Sequence, residues 1–377
     1  MVVMKYYLMN KNERILAFET EECLGDIVVK ETFRYSAFPP VGFVDIATWI
    51  HKRNRAKRKE HFRKWLQEWN LDTIDGFIET THCLGINDCL WVKQVGSSLN
   101  WSDVSLYTND FDDVAAHTAF ENGLYGLRLS STSPEFTAEG SFPKFWKRER
   151  DEIYLYKAGM SGAINLGKEP YAEYISSMLV SQFIKQPTVF YDLVKYKSRL
   201  CSKCRLFTTE DTGFIPMYQF LDKQRSYRIA DVINICKELG YEEECAAMFY
   251  ADSFVFNQDR HLGNFGFLVN NDDFSIKGFA PLFDFNVSML CNATDEDLDN
   301  IIQYMREYQI EHKLGGSFQL VGEALRKQYG FSIPNAIKFP IHAKYNMSTE
   351  RNDKLTRILE ANAKFITGKQ VRLTHAK

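Results

Sequence analysis

The chain has 377 residues, 45% of them hydrophobic, with 29 Phe and 19 Tyr, enough for two or three packed domains and too much for wholesale disorder. Its formal net charge of -3 argues against a globally basic nucleic-acid binder, although a local basic patch stays compatible with it. No apolar run reaches the ~18 to 20 residues of a membrane-spanning helix. Lys5, Asn10, Lys11 and Asn12 interrupt the stretch where a signal peptide would be apolar, so a cytosolic protein is expected.

In chain order, KYYLMN and ILAFE read as short strands around the polar turn NKNE. Asp45 to Trp69 read as helical and contain the densest basic run, His51 to Trp65. Phe62, Trp65 and Trp69 stand at helical spacing, which makes that run the solvated face of a helix rather than a nucleic-acid surface. The Ser-, Asn- and Asp-rich stretch GSSLNWSDVSLYTNDFDD predicts loops.

A boundary is expected near Gly123 to Gly126. Beyond it LYGLRLS, KFWKR and EIYLYKAG read as strands, and PYAEYISSMLVSQFI as a helix with Pro170 in its first turn. VFYDLVKY, CRLFTT and FIPMYQF follow as strands. Cys201 and Cys204 have zinc-ligand spacing, but no second pair accompanies them, so they are expected to be strand thiols. From Arg228 onward helices dominate: IADVINICKELG, YEEECAAMFYADSFVF, DLDNIIQYMREY, FQLVGEALRKQYG and STERNDKLTRILEANAKFI. They are interrupted by the polar loop NQDRHLGN and a hairpin turning at NNDD.

That loop is the strongest chemical signal. Asp259 and Asn264 lie between an aromatic helix and a hairpin, and Asp284 ends the strand-like FAPLFDF. Phosphoryl transfer from ATP asks for these groups. One carboxylate accepts the proton of the attacking hydroxyl, and an amide oxygen with a second carboxylate holds Mg²⁺ against the phosphates. The competing reading makes them loop-capping groups satisfied by the backbone, which would need three matches in the right order by chance. Lys157, at the end of the strand EIYLYKAG, is placed to reach the α- and β-phosphates.

NQDRHLGNFGFL followed by APLFDFNVSML resembles the catalytic and metal loops of the HipA-like serine/threonine kinases, and DRHxxN also resembles phosphatidylinositol kinases of the wider superfamily. The resemblance implies a bilobal, protein-kinase-like α+β fold. It would have an N-terminal subdomain at 1–125, a β-rich small lobe at 126–222 and a helical lobe at 223–377. Asp259 would be the catalytic base, His261 the residue that fixes its loop, and Asn264 and Asp284 the Mg²⁺ ligands. Lys157 would be held by Glu173, with Glu169 as the alternative. GSFPKFW resembles the element after the family's phosphate-binding loop, which implicates Gly140, Ser141 and Lys144 in phosphate binding. In the family that loop can be autophosphorylated, so Ser131, Ser133, Thr137 and Ser141 are candidates. Tyr218 and Phe220 are the expected adenine contacts, with plain core residues as the alternative.

The implied activity is ATP- and Mg²⁺-dependent phosphorylation of Ser or Thr in a protein substrate, with an antitoxin protein as a further partner. DNA would be met only indirectly, and no membrane is involved. A lipid or small-molecule kinase and an inactive ATP-binding module are the alternatives.

Overall fold

The computed structural model describes residues 3–23, 26–36, 40–55, 66–121, 132–137, 142–163, 165–222 and 224–375. The chain forms two compact units, each assembled from separated stretches. The first comprises Met1–Tyr156, Leu206–Ile215 and Leu268–Lys277, and the second Lys157–Arg205, Pro216–Phe267 and Gly278–Lys377. Both helices and antiparallel strands are abundant, as expected for an α+β protein.

In the first unit β1 (Val3–Asn10), β2 (Glu13–Cys23), β3 (Asp26–Arg34) and, after two helices, β4 (Leu90–Gln94) make a sheet ordered β3-β2-β1-β4. Tyr6 faces Phe18 and Leu8 faces Leu16 across the antiparallel β1–β2 pair. The period-2 alternation thus puts these four side chains on one buried face. Helix α1 (Ile46–Arg53) and helix α2 (Ile74–Thr81) supply Ile46, Ile50, Phe77 and Ile78 to the same core. Asp75 accepts bonds from the Tyr6 hydroxyl at 3.0 Å and the Thr20 hydroxyl at 2.7 Å, so this carboxylate at the edge of the core is partnered.

One expectation is corrected here. The helix expected over 45–69 stops at Arg53, because Asn54 leaves helical geometry and the Arg55 N–H donates to the Phe136 carbonyl at 3.1 Å. Trp69 is in the core and residues 66–70 form turns, while Phe62 and Trp65 lie outside the described residues. The stretch expected to be loops, 96–113, is mostly turns and irregular chain, with the single-turn helix α3 (Trp101–Val104) inside it and α4 (Asp113–Glu121) starting at its last residue. Its Asn and Asp residues serve as caps: the Asp103 carboxylate accepts the Asn100 N–H, and Asp112 accepts the Ala115 N–H at 2.9 Å. The boundary at Gly123 to Gly126 and the strand LYGLRLS lie outside the described residues. Strands β5 (Lys144–Glu149) and β6 (Glu152–Ala158) follow as expected.

The second unit begins within β6 and continues with α5 (Glu169–Val180) and the antiparallel pair β7 (Tyr191–Tyr196) and β8 (Arg199–Arg205). The CRLFTT strand is thus displaced toward the N-terminus, with Cys201 and Cys204 as buried free thiols on β8. Strand β9 (Thr212–Pro216) ends at proline, and Met217–Phe220 turn as a 3₁₀ helix. Helix α6 (Ile229–Glu238) is followed by α7 (Glu242–Val255), in which every residue from Cys245 to Val255 is buried. A helix buried all round is central.

The hairpin of β10 (Gly266–Asn270) and β11 (Ile276–Phe279) precedes α8 (Asp295–Asp299), α9 (Ile301–Glu307) and α10 (Phe318–Tyr329). Gly322 of α10 lets this helix meet α7 and α11 (Thr349–Thr367) closely. A Cβ there would stand 2.9 Å from Ile366 Cδ1 and 3.0 Å from Ser253 Cβ. Among the described residues no helix is long and apolar enough to cross a membrane.

Two short strands had no counterpart in the sequence reading: β12 (Ala336–Phe339) and β13 (Arg372–His375), which pair in parallel. They matter because this segment braces α5. Gln182, just past α5, bonds the Lys338 backbone twice, Nε2 to its carbonyl and Oε1 from its N–H, each at 2.8 Å. His342 stands edge-on to Tyr174 of α5, ring centroids 5.4 Å apart. Its Nδ1 accepts backbone N–H groups from Lys344 and Tyr345, so Nε2–H donates to Asp192 of β7 at 3.0 Å.

Another buried histidine sits against α7. The Ser253 hydroxyl donates to the Phe249 carbonyl at 2.8 Å, so His312 Nε2–H donates to Ser253 Oγ, 2.9 Å away. Nδ1 is then bare and buried without a partner. Burial, with Arg260 as a further cause, pushes the imidazole pKa down from 6.5 to about 3. Between those values the unfolded chain binds the proton and the folded chain does not. The stabilisation is therefore present above about 6.5 and lost progressively as pH falls toward about 3. Replacing His312 by Gln should flatten this limb of a urea-midpoint-against-pH curve. An identical slope in the variant would show that His312 is not titrating there.

Candidate active site

Lys157 is the penultimate residue of β6, and the glycine-containing turn after it leads into α5, where Glu173 lies one turn from the helix start. The Lys157 Nζ is 2.6 Å from Glu173 Oε1 and 2.7 Å from Asp284 Oδ1. Glu173 is fully buried, and its second oxygen accepts the Ser202 hydroxyl of β8. Burial alone would lower the Lys157 pKa. The Asp284 and Glu173 carboxylates outweigh it and hold the ammonium well above its ordinary range. Burial pushes Glu173 up, against the pull of Lys157. Glu169 is not the lysine's partner: its Oε1 accepts the Met160 N–H at 3.2 Å in the preceding turn.

Asp284 is set by its backbone. Leu282 is bonded on both sides, its N–H to the Pro187 carbonyl and its carbonyl from the Val189 N–H, each at 2.8 Å. Two residues later Asp284 adopts φ +60°, in the left-handed region that aspartate tolerates better than most side chains. Its N–H donates to the Tyr191 hydroxyl of β7 at 3.1 Å.

The loop 257–265 is a web of short-range bonds around Asp259. The Asp259 carbonyl accepts the His261 N–H at 2.7 Å and Asn264 Nδ2 at 3.0 Å, while its own N–H donates to Asn257 Oδ1 at 3.2 Å. His261 Nδ1 accepts the Gly263 N–H at 3.0 Å, a bond within the same loop. With Asn264 Nδ2 used in this way, the amide oxygen is the end left for a cation. Burial raises the Asp259 pKa, with Asp284 adding to it and His261, Lys313 and Arg260 opposing.

Arg260 ties the two parts together. Its guanidinium is fully buried and makes a fork with Asp252 of α7, Nε to Oδ2 at 2.8 Å and Nη2 to Oδ1 at 3.1 Å. Nη1 donates to the Asn264 carbonyl at 2.8 Å and to the Phe283 carbonyl. One side chain therefore grips the helix, the Asp259 loop and the residue before Asp284. Asn257 adds a second link, from Asp252 Oδ1 at 2.9 Å to the Asp284 carbonyl at 3.4 Å.

Of the residues singled out in the sequence, Lys157, Glu173 and Asp284 are in direct contact, and Asp259, His261 and Asn264 share one loop tied to Asp284. The Tyr218 N–H is committed to the Leu262 carbonyl at 3.0 Å, and the Phe220 ring packs on Phe267 with centroids 4.9 Å apart. Both residues are half-buried. Lys144 opens β5 in the first unit, and Gly140, Ser141 and Ser131 lie outside the described residues. Ser133 is buried with its hydroxyl on Glu135, a poor phosphate acceptor.

Asp252, Asn257, Arg260, Tyr191 and Ser202 were missed. Asp252 did carry a signal, since a lone carboxylate inside AAMFYADSFVF needs a buried partner. Replacing Arg260 by Met should cost about 3–5 kcal/mol, because Asp252 is left charged and unpaired. Pairing it with Asp252→Leu should recover a large part of that loss in urea titrations. A double variant as unstable as the single one would refute this account of the ion pair.

No family model matches the chain, and no curated relative does. Among solved structures, one from the Shewanella oneidensis MR-1 toxin–antitoxin complex of HipA, HipB and operator DNA is similar over 96% of both chains, with 10% identity and a TM-score of 0.50. The Helicobacter pylori proinflammatory kinase CtkA matches over 61% of this chain and 90% of its own, with 15% identity and a TM-score of 0.47. With 96% of both chains aligned, the chain has the α+β fold of the HipA-like proteins.

Proposed function

We propose that the protein is an ATP- and Mg²⁺-dependent serine/threonine protein kinase of the HipA type, acting in the cytosol. The observation that carries this reading is the buried Lys157–Glu173–Asp284 cluster, with the Asp259–Asn264 loop bound to it through Arg260. A lysine held by a helix carboxylate beside a metal-type aspartate is the arrangement that orients nucleotide phosphates in kinases.

The donor set suits Mg²⁺. Asp284 and Asn264 offer hard oxygens, and Mg²⁺ in such sites is bound by one or two carboxylates together with the substrate's phosphates. When bound, the ion would neutralise phosphate charge. Lys157 would hold the α- and β-phosphates, Glu173 would keep its ammonium charged and aimed, and Asp259 would take the acceptor's proton. The raised pKa of Asp259 makes it a better proton acceptor than an ordinary aspartate.

The similarity to a complex containing HipB supports an antitoxin protein as partner. Autophosphorylation in the loop before β5 belongs to the same reading, with Ser131, Thr137 and Ser141 as its acceptors.

Asp259→Asn should lower transfer of radiolabelled phosphate by about 10² or more while calorimetry still finds Mg-ATP bound. Transfer at the wild-type rate would remove Asp259 from the mechanism. Lys157→Met should instead weaken Mg-ATP binding itself, and unchanged affinity would contradict the phosphate role. Intact-mass spectrometry after incubation with Mg-ATP would register loop phosphorylation as added phosphate on residues 131–141. Unmodified wild-type protein would refute that part.

A further inference from the structure

Lys313 stands beside Asp259 and has no part in the clusters above. Its Nζ is 4.0 Å from Asp259 Oδ1, well beyond the ~2.7–2.9 Å of a charge-assisted hydrogen bond. The lysine side chain is 56% exposed and that of Asp259 32%. The contrast with Lys157, whose ammonium is already bonded to two carboxylates at 2.6 and 2.7 Å, is direct. Lys313 keeps hydrogen-bond donors for something else.

Its position is built into the backbone. Residues 311–316, EHKLGG, close into a turn: the Gly315 N–H donates to the His312 carbonyl at 2.8 Å, and the His312 N–H to the Gly316 carbonyl at 3.1 Å. Gly315 at φ +85° and Gly316 at φ +104° take conformations that side chains rarely allow. The turn is pinned by buried His312, whose ring packs 4.4 Å from that of Phe318 and whose Nε2 bonds Ser253. Ser253 is the neighbour of Asp252, which holds Arg260, which adjoins Asp259. One turn of α7 thus anchors both the proposed base and the lysine that faces it.

We propose that Lys313 is a further catalytic residue, contacting the phosphoryl group as it is transferred. This rests on the reading of Asp259 as the base. An acceptor oxygen giving its proton to Asp259 lies about 2.6–3.2 Å from that carboxylate. The phosphoryl group joins that same oxygen, which brings its equatorial oxygens within reach of an ammonium 4.0 Å from the carboxylate. In the step, the bond from the γ-phosphorus to the acceptor oxygen forms as the bond to the β–γ bridging oxygen breaks. The bridging oxygen keeps the electron pair and leaves on ADP, and the acceptor's proton passes to Asp259. The charge spread over the three equatorial oxygens is what Lys313 meets.

The test compares the full-length wild type with Lys313→Met and Lys313→Arg, measuring kcat, KM for ATP and thermal midpoint with Mg-ATP and either a protein acceptor or autophosphorylation. Lys313→Met should lower kcat at least about tenfold, with KM and midpoint unchanged, and Lys313→Arg should recover most of the loss. A Lys313→Met kcat within about twofold of wild type would overturn the proposal while leaving the kinase reading intact. So would a loss of kcat and midpoint together that Arg does not repair, because it marks a structural role. A wild type inactive toward every acceptor and itself would overturn the kinase reading, and this role with it.

Discussion

A buried arginine paired with a buried aspartate holds the second unit's chemistry in one place. Taking Arg260 and Asp252 out of water is costly, and their attraction offsets that cost only with near-complete hydrogen bonding. Here both Asp252 oxygens and three guanidinium nitrogens are bonded. The stability gained over an apolar pair is small or negative by that logic. What the pair supplies is specification: a planar fork fixes the direction of the Asn264 and Phe283 carbonyls, which a leucine or methionine could not do. The loop of Asp259 and the approach to Asp284 are thereby fixed to one helix.

The same principle, charge held where it is expensive to leave it unpartnered, recurs at Lys157. Burial pushes the Glu173 carboxyl up against the pull of the ammonium, and the two carboxylates hold the ammonium up against the same burial. Neither can be changed alone without stranding the other. The cluster thus presents a cation whose orientation is already fixed by Glu173, so little ordering is left for any anion that meets it.

Much of this was legible in the sequence, for physical reasons that differ by element. The helices of the second unit show in their 3.6-residue periodicity and their stop signals, such as Gly330 at φ +74° closing α10. Asp259, Asn264 and Asp284 show because their polar character breaks apolar surroundings at fixed spacing. Strands β12 and β13 are too short for any period to register. The 3₁₀ turn at Met217 hides behind aromatic residues that read equally well as strand. Arg260 lay inside the quoted motif, yet no local pattern says that its side chain turns inward to Asp252. Lys313 is the extreme case, since its closeness to Asp259 comes wholly from the tertiary path of the chain.

The brace on α5 has a consequence for how the protein comes into being. Lys157, Glu173 and Asp284 are all made before β12, and β12 pairs with a strand near the C-terminus. While the chain is being synthesised, the helix that carries Glu173 therefore waits for Lys338 and His342 to brace its far side. The parts of the Lys157 cluster emerge first, and the segment that steadies them follows after them.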